Sequence, residues 1–183
     1  MSNRRLRRRL VRGILGGLAA CAIALPAPAP AAAAEPATRR LVLSNTHTGE
    51  VLDTIYWANG SYLPAELGRL DWVFRDHRTS DVLAIDSRLF DLLHDLAATA
   101  GLEPRYHIVS GYRSPATNAM LAAKSDGVSS RSLHMEGKAI DIRLEGLPLA
   151  TLRDLALARR AGGVGYYPDS DFVHLDVGRV RSW

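Results

Sequence analysis

Two short segments alternate in the same phase, and together they constrain the fold more than any other feature of the chain. In Ala139-Ile140-Asp141-Ile142-Arg143 the isoleucines point one way and Asp141 the other. In Phe172-Val173-His174-Leu175-Asp176-Val177 the aliphatic residues share one face, while His174 and Asp176 share the opposite one. Strand side chains alternate with period two, so each segment buries an aliphatic face and turns a metal-ligand type outward. If the two strands are neighbours in one sheet, Asp141 and His174 converge. His134 lies just upstream, and Gly137 gives the chain a place to turn back toward Asp141. Two imidazoles and one carboxylate make the three-ligand set of a catalytic zinc site, whose fourth position stays open for water. The chemistry this implies is metal-assisted hydrolysis. The competing reading is an ordinary surface pair or a satisfied hydrogen bond, and spacing alone does not separate the two.

Charge excludes a different class of function. The 183 residues carry 23 Lys and Arg against 19 Asp and Glu, a formal net charge of +4. Six of those arginines (Arg4, Arg5, Arg7, Arg8, Arg9 and Arg12) fall in residues 1–34, which hold no acid. Without them the body has 17 basic and 19 acidic residues, so no nucleic-acid partner is expected. Residues 1–34 read as a signal peptide: a basic start, an apolar run from Gly13 to Leu25, and small residues at Ala32 and Ala34 before Glu35. The apolar run is too short to span a membrane. Arg7-Arg8-Arg9-Leu10-Val11-Arg12 fits the twin-arginine pattern, which predicts export to the periplasm of an already folded protein. Leu18-Ala19-Ala20-Cys21 resembles a lipobox, so a lipid anchor at Cys21 is the alternative to simple cleavage. Apolar sequence continues past Cys21, which favours cleavage. The remaining residues 35–183 are the length of one domain, expected to act as a monomer.

Along that domain, Arg40 to Asn45 and Glu50 to Trp57 read as a hairpin around Thr46-His47-Thr48-Gly49. Pro64 to Phe74 and Ser87 to Ala100 read as helices. The second has Leu89, Leu92, Leu93 and Leu96 on one stripe, Ser87 as its cap and Gly101 as its stop. Tyr106 to Ser110 is a strand, followed by a turn, a short helix through Lys124 and a polar loop, Ser125 to Arg131. Leu149 to Arg160 is a helix stopped by Gly162-Gly163, and Val164 to Tyr167 and Phe172 to Val177 are closing strands. Strand pairs stay adjacent and helices segregate, which predicts an α+β fold with a mainly antiparallel sheet.

Ser132-x-His134-x-x-Gly137-x-Ala139-x-Asp141, with His174 downstream and Ser110-Gly111-Tyr112-Arg113-Ser114 upstream, resembles the peptidase M15 group. That group includes zinc D-Ala-D-Ala carboxypeptidases and related murein peptidases. Asn45-Thr46-His47-Thr48-Gly49-Glu50, Arg75-Asp76-His77-Arg78, Gly162 to Pro168 and Arg181-Ser182-Trp183 are similar to its YcbK-like branch of exported murein endopeptidases. The resemblance covers essentially all of residues 35–183. It implies Zn2+ held by His134, Asp141 and His174, and peptidoglycan peptides as substrate. It also implies that Arg113 stands near the scissile bond, where a guanidinium binds an oxyanion or a substrate carboxylate; the alternative is an Arg buttressing its own turn. Ser132 and Tyr112 are expected to offer substrate hydrogen bonds, against ordinary turn roles.

The general base is the open point. Many relatives carry Glu three residues before the last His ligand, and here that slot is Asp171. Asp176, on the His174 face, is its rival. The departure at Asp171 keeps alive a non-catalytic zinc module that binds wall peptides. A D,D-carboxypeptidase or dipeptidase acting on small peptides is the third reading.

Overall fold

The computed structural model of the protein describes residues 37–124 and 128–183. The Arg7-Arg8 motif, Cys21, the expected cleavage after Ala34 and residues 125–127 of the polar loop lie outside the described residues. Eight strands form one sheet: β1 (Thr38–Asn45), β2 (Val51–Ala58), β3 (Ser61–Tyr62), β4 (Arg105–Ser110), β5 (Ala139–Leu144), β6 (Gly163–Tyr167), β7 (Phe172–Asp176) and β8 (Arg181–Ser182). Their spatial order is β3-β2-β1-β4-β5-β7-β6-β8. Only β1 with β4 and β6 with β8 run parallel; every other pairing is antiparallel. The α+β class with a mainly antiparallel sheet is the observed one. The two short strands β3 and β8 were not foreseen, since two residues carry no readable alternation.

Four helices accompany the sheet among the described residues: α1 (Pro64–Val73), α2 (Ser87–Ala100), α3 (Pro115–Ala122) and α4 (Leu149–Arg159). The predicted leucine stripe of α2 is buried, together with Phe90 and Ala97. It packs on β1 and β5, and α4 packs on β5, β6 and β7. The sheet answers with Leu41, Leu43, Ile140, Ile142, Val173 and Leu175, all fully buried. Each such aliphatic side chain contributes about 1.5–3 kcal/mol by leaving water. Because helices cover this face, the alternate residues Asp141 and His174 are left to the other.

Two helix ends differ from expectation. Asp86, not Ser87, caps α2, its carboxylate accepting from the Arg88 amide at 3.1 Å. Asp86 precedes the first helical residue and has the extended backbone a cap needs. At the end of α4 it is Arg160 that turns left-handed, at φ 51°. Gly162 and Gly163 serve close approach instead: a Cβ on Gly162 would stand 1.9 Å from the Asp176 carbonyl oxygen, and one on Gly163 would stand 2.3 Å from Asp176 Oδ2.

Candidate metal centre and its cleft

The register delivers the convergence that the alternation promised. β5 and β7 pair antiparallel with Asp141 directly opposite His174. His134 arrives from a 3-10 turn, Leu133–Glu136, just before β5. Ser132 caps that turn, its hydroxyl accepting from the His134 amide at 3.4 Å. Gly137 ends it left-handed at φ 65°, and a Cβ there would lie 2.3 Å from the Ala84 carbonyl oxygen, so the chain can turn back only through glycine.

The three side chains are buried, and their ligand-type atoms form a small triangle. His134 Nε2 is 3.2 Å from His174 Nδ1 and 3.2 Å from Asp141 Oδ1, and His174 Nδ1 is 2.9 Å from the same oxygen. The outer nitrogens decide the tautomers. His134 Nδ1 lies 2.7 Å from the Gly111 carbonyl oxygen, an acceptor only, so this nitrogen carries the proton and Nε2 the lone pair. His174 Nε2 lies 3.2 Å from Asp176 Oδ2 and donates to it, which leaves a lone pair on Nδ1. Three lone pairs therefore face one another. Tetrahedral zinc with bonds of about 2.0–2.1 Å separates its ligand atoms by about 3.3 Å, close to the edges of this triangle. The donor set and its spacing fit a zinc ion.

Electrostatics agree. Burial alone would raise the Asp141 carboxyl, but the His134 and His174 imidazoles outweigh it and hold it far below the usual carboxylate range. Burial drives His134 toward its neutral form. It works against the charged form of His174 too, yet hydrogen bonds to Asp141 and Asp176 prevail and raise its pKa. A cation beside His174 Nδ1 is what the two carboxylates favour, whether proton or metal.

Asp176 stands behind His174. Its side chain is fully buried, and besides His174 it accepts from the amides of Gly163 at 2.9 Å and Gly178 at 2.8 Å. Arg181 completes the set, with Nη2 2.7 Å from Oδ2 and Nη1 3.1 Å from Oδ1. Every lone-pair site is occupied, and the carboxylate stands on the far side of the imidazole from the triangle. Such a carboxylate–histidine arrangement orients an imidazole, and it leaves no free lone pair on Asp176 for a water. Asp171 stands elsewhere. It adopts a left-handed turn conformation at φ 53°, its side chain is 62% exposed, and it pairs with Arg143. That pair lines a neighbouring depression with His107, not the cleft over the triangle. Among the described residues that line the cleft, Asp141 is the only carboxylate.

Arg113 is where the motif implied. Its Nε donates to Ser110 Oγ at 2.9 Å, and its Nη2 donates to Asp141 Oδ2. The guanidinium fixes the second oxygen of a ligand and still fronts the cleft. Its turn is held from behind. The Tyr112 amide donates to the Phe74 carbonyl at 2.7 Å, and the Ser114 amide donates to Asp76 Oδ2 at 2.8 Å. Asp76 is buried; burial works against its charge, but hydrogen bonds from Thr117 and Ser114 bring its pKa down to about 2. Its motif was legible in the sequence, but its task was not. Tyr112 packs against the hydrophobic core and does not line the cleft, whereas Ser132 does.

The cleft holds about 500 Å³, within the range of small-molecule sites. Arg131 and Ser132 stand among its lining residues, as do Tyr167, Phe172 and Trp183. The three aromatics went unrecognised as site residues, although the spacing of Phe172 two before His174 placed it on the same strand face.

Sequence comparison agrees with the geometry. A family model described as "Peptidoglycan L,D-endopeptidase MepK", a peptidase M15 group, matches residues 32–183. A protein of Escherichia coli (strain K12) named peptidoglycan L,D-endopeptidase MepK is 44% identical over 169 residues, covering 92% of this chain and 93% of its own length. The Shigella flexneri protein of the same name matches to the same extent. A Haemophilus influenzae protein named probable peptidoglycan L,D-endopeptidase MepK is 41% identical over 170 residues, covering 92% of this chain and 91% of its own. No solved structure matches. With the His-Asp-His triangle at the floor of a cleft and a family match across the whole described sheet, the chain belongs to the peptidase M15 family, in its MepK group.

Proposed function

We propose that this protein is a zinc-dependent endopeptidase that hydrolyses L,D peptide cross-links of peptidoglycan. The observation that carries the reading is the meeting of three ligand-type atoms, from His134, Asp141 and His174, beside the Arg113 guanidinium in an open cleft. His134, Asp141 and His174 would hold a zinc ion, which would supply a water of lowered pKa, about 7, and polarisation of the scissile carbonyl. Asp176 and the Gly111 carbonyl keep both imidazoles in the tautomer that binding requires. Arg113 holds Asp141 in place and offers its remaining N–H groups to an oxyanion or to a carboxylate of the substrate. The relatives named for this bond support the choice of L,D over D,D linkages. The leader read in residues 1–34 would carry the protein to such a substrate, and among the described residues no helix is long and apolar enough to cross a membrane.

The test is digestion of purified cross-linked muropeptide dimers followed by mass spectrometry. Zinc-loaded protein is expected to convert L,D-linked dimers to monomers with uptake of one water; a chelator should stop the reaction, and added zinc restore it. One rival is a zinc-containing module that binds wall peptides without cutting them, since among the described residues Asp141 is the only carboxylate that lines the cleft. Tight binding of dimers with no monomer formed would establish that rival. Cleavage of casein or free D,D-dipeptide with L,D dimers left intact would refute the assignment.

A further inference from the structure

Trp183 presents an exposed aromatic surface that is nevertheless held rigidly. It is 52% exposed. Its backbone is docked on β6, with the Tyr166 amide donating to its carbonyl at 3.1 Å and its own amide donating to the Val164 carbonyl at 3.3 Å. Its indole Nε1 donates to the Tyr167 hydroxyl at 2.7 Å, and the Arg181 guanidinium lies 4.8 Å from its ring centre. Gly165 is the floor beneath: a Cβ there would stand 2.8 Å from both the Trp183 and the Tyr167 rings. Tyr167 in turn stacks on Phe172, with centroids 4.6 Å apart and planes 22° from parallel. At the other end the Trp183 ring lies 5.2 Å from the ring of His174. The result is a continuous aromatic strip that starts at a metal-ligand histidine and runs along the cleft. Holding such a surface fixed and wet gains nothing for the free protein; it lowers the ordering cost of a ligand that lies on it.

Resting on the function proposed above, we infer that the Trp183–Tyr167–Phe172 strip is the subsite for the aliphatic side chain of the diamino acid at the cross-link. The strip adjoins His174, so what lies on it is the group next to the bond being cut. In a cross-link between diamino acids that group is a short methylene chain ending in a carbon that bears a carboxylate. The methylenes match the aromatic faces, and Arg131 among the cleft's lining residues matches the charge. The glycan is the other component of the wall able to stack on aromatic rings. A sugar-free substrate separates the glycan from the peptide as occupant of the strip.

Steady-state kinetics on two substrates test this with zinc-loaded protein: a cross-linked peptide dimer stripped of sugar, and the same dimer with its disaccharides. Trp183→Ala is expected to raise KM about tenfold on both, with kcat within about threefold and one zinc per chain retained. Trp183→Phe should recover most of the loss, and Phe172→Ala should raise KM in the same way. A KM unmoved in Trp183→Ala and Phe172→Ala would overturn the subsite. So would an effect confined to the sugar-bearing dimer, or zinc loss in Trp183→Ala that accounts for the whole defect. No turnover by the wild-type protein on either dimer would instead refute the proposed function itself.

Discussion

His134→Ala should abolish dimer cleavage, with a loss of at least about 10³-fold in kcat/KM, while the protein stays folded. The change removes one of three converging lone pairs and leaves His174 and Asp141 as a two-point site. Arg113, already on Asp141 Oδ2, can then take the carboxylate as a simple ion pair, and metal binding loses its second anchor as well. The structural cost is smaller. His134 belongs to a capped 3-10 turn outside the main hydrophobic cluster, and the chief loss is the donor to the buried Gly111 carbonyl, about 1–3 kcal/mol. Far-UV circular dichroism and thermal unfolding, measured beside the dimer assay, check that activity falls far more than stability does. Activity within tenfold of wild type would remove His134 from the site.

Arg113 carries the second large effect. At saturating zinc, Arg113→Ala is expected to lower kcat by about 10²–10³-fold, as loss of an oxyanion donor does. Arg113→Lys should restore little of it. The guanidinium spans Ser110 Oγ and Asp141 Oδ2 at once and still offers N–H groups to the cleft, whereas an ammonium is a single point that cannot hold the carboxylate and face the substrate together. Zinc affinity should fall too, by about 10- to 100-fold, because Asp141 loses the partner that orients it. Measuring kcat across a zinc titration separates the two effects. A wild-type kcat in Arg113→Lys at any zinc concentration would show that the residue merely buttresses its turn.

The sequence carried the parts of this site whose logic is local. Alternation around Asp141 and His174 gave two strands and the face each of these residues occupies, and the leucine spacing from Leu89 to Leu96 gave α2 its buried stripe. What it could not carry were the partners. Asp171 in the Glu slot was the expected base and Asp176 its rival, and spacing could show the surroundings of neither. The lone pairs of Asp176 are filled by Gly163, Gly178 and Arg181, and Asp171 is paired with Arg143. Pairing of β1 with β4 in parallel likewise follows from packing and not from any pattern within either strand. Gly162 and Gly163 read naturally as a helix stop, and Gly165 as part of a strand. Their use, letting Asp176 and Trp183 come close, depends on residues that arrive later in the chain. Trp183 has no periodicity to announce it, and its rigidity is built from contacts to Tyr167, Arg181 and β6.

The central claim is that this sheet face and one 3-10 turn together make a zinc site of two imidazoles and a carboxylate. X-ray absorption at the zinc K edge of the zinc-loaded protein, together with elemental analysis, tests it most directly. One zinc per chain is expected, with nitrogen and oxygen neighbours only, an outer-shell signal of two imidazoles, and loss of that spectrum in both His134→Ala and His174→Ala. A sulfur neighbour, or full zinc occupancy with an unchanged spectrum in both variants, would contradict it.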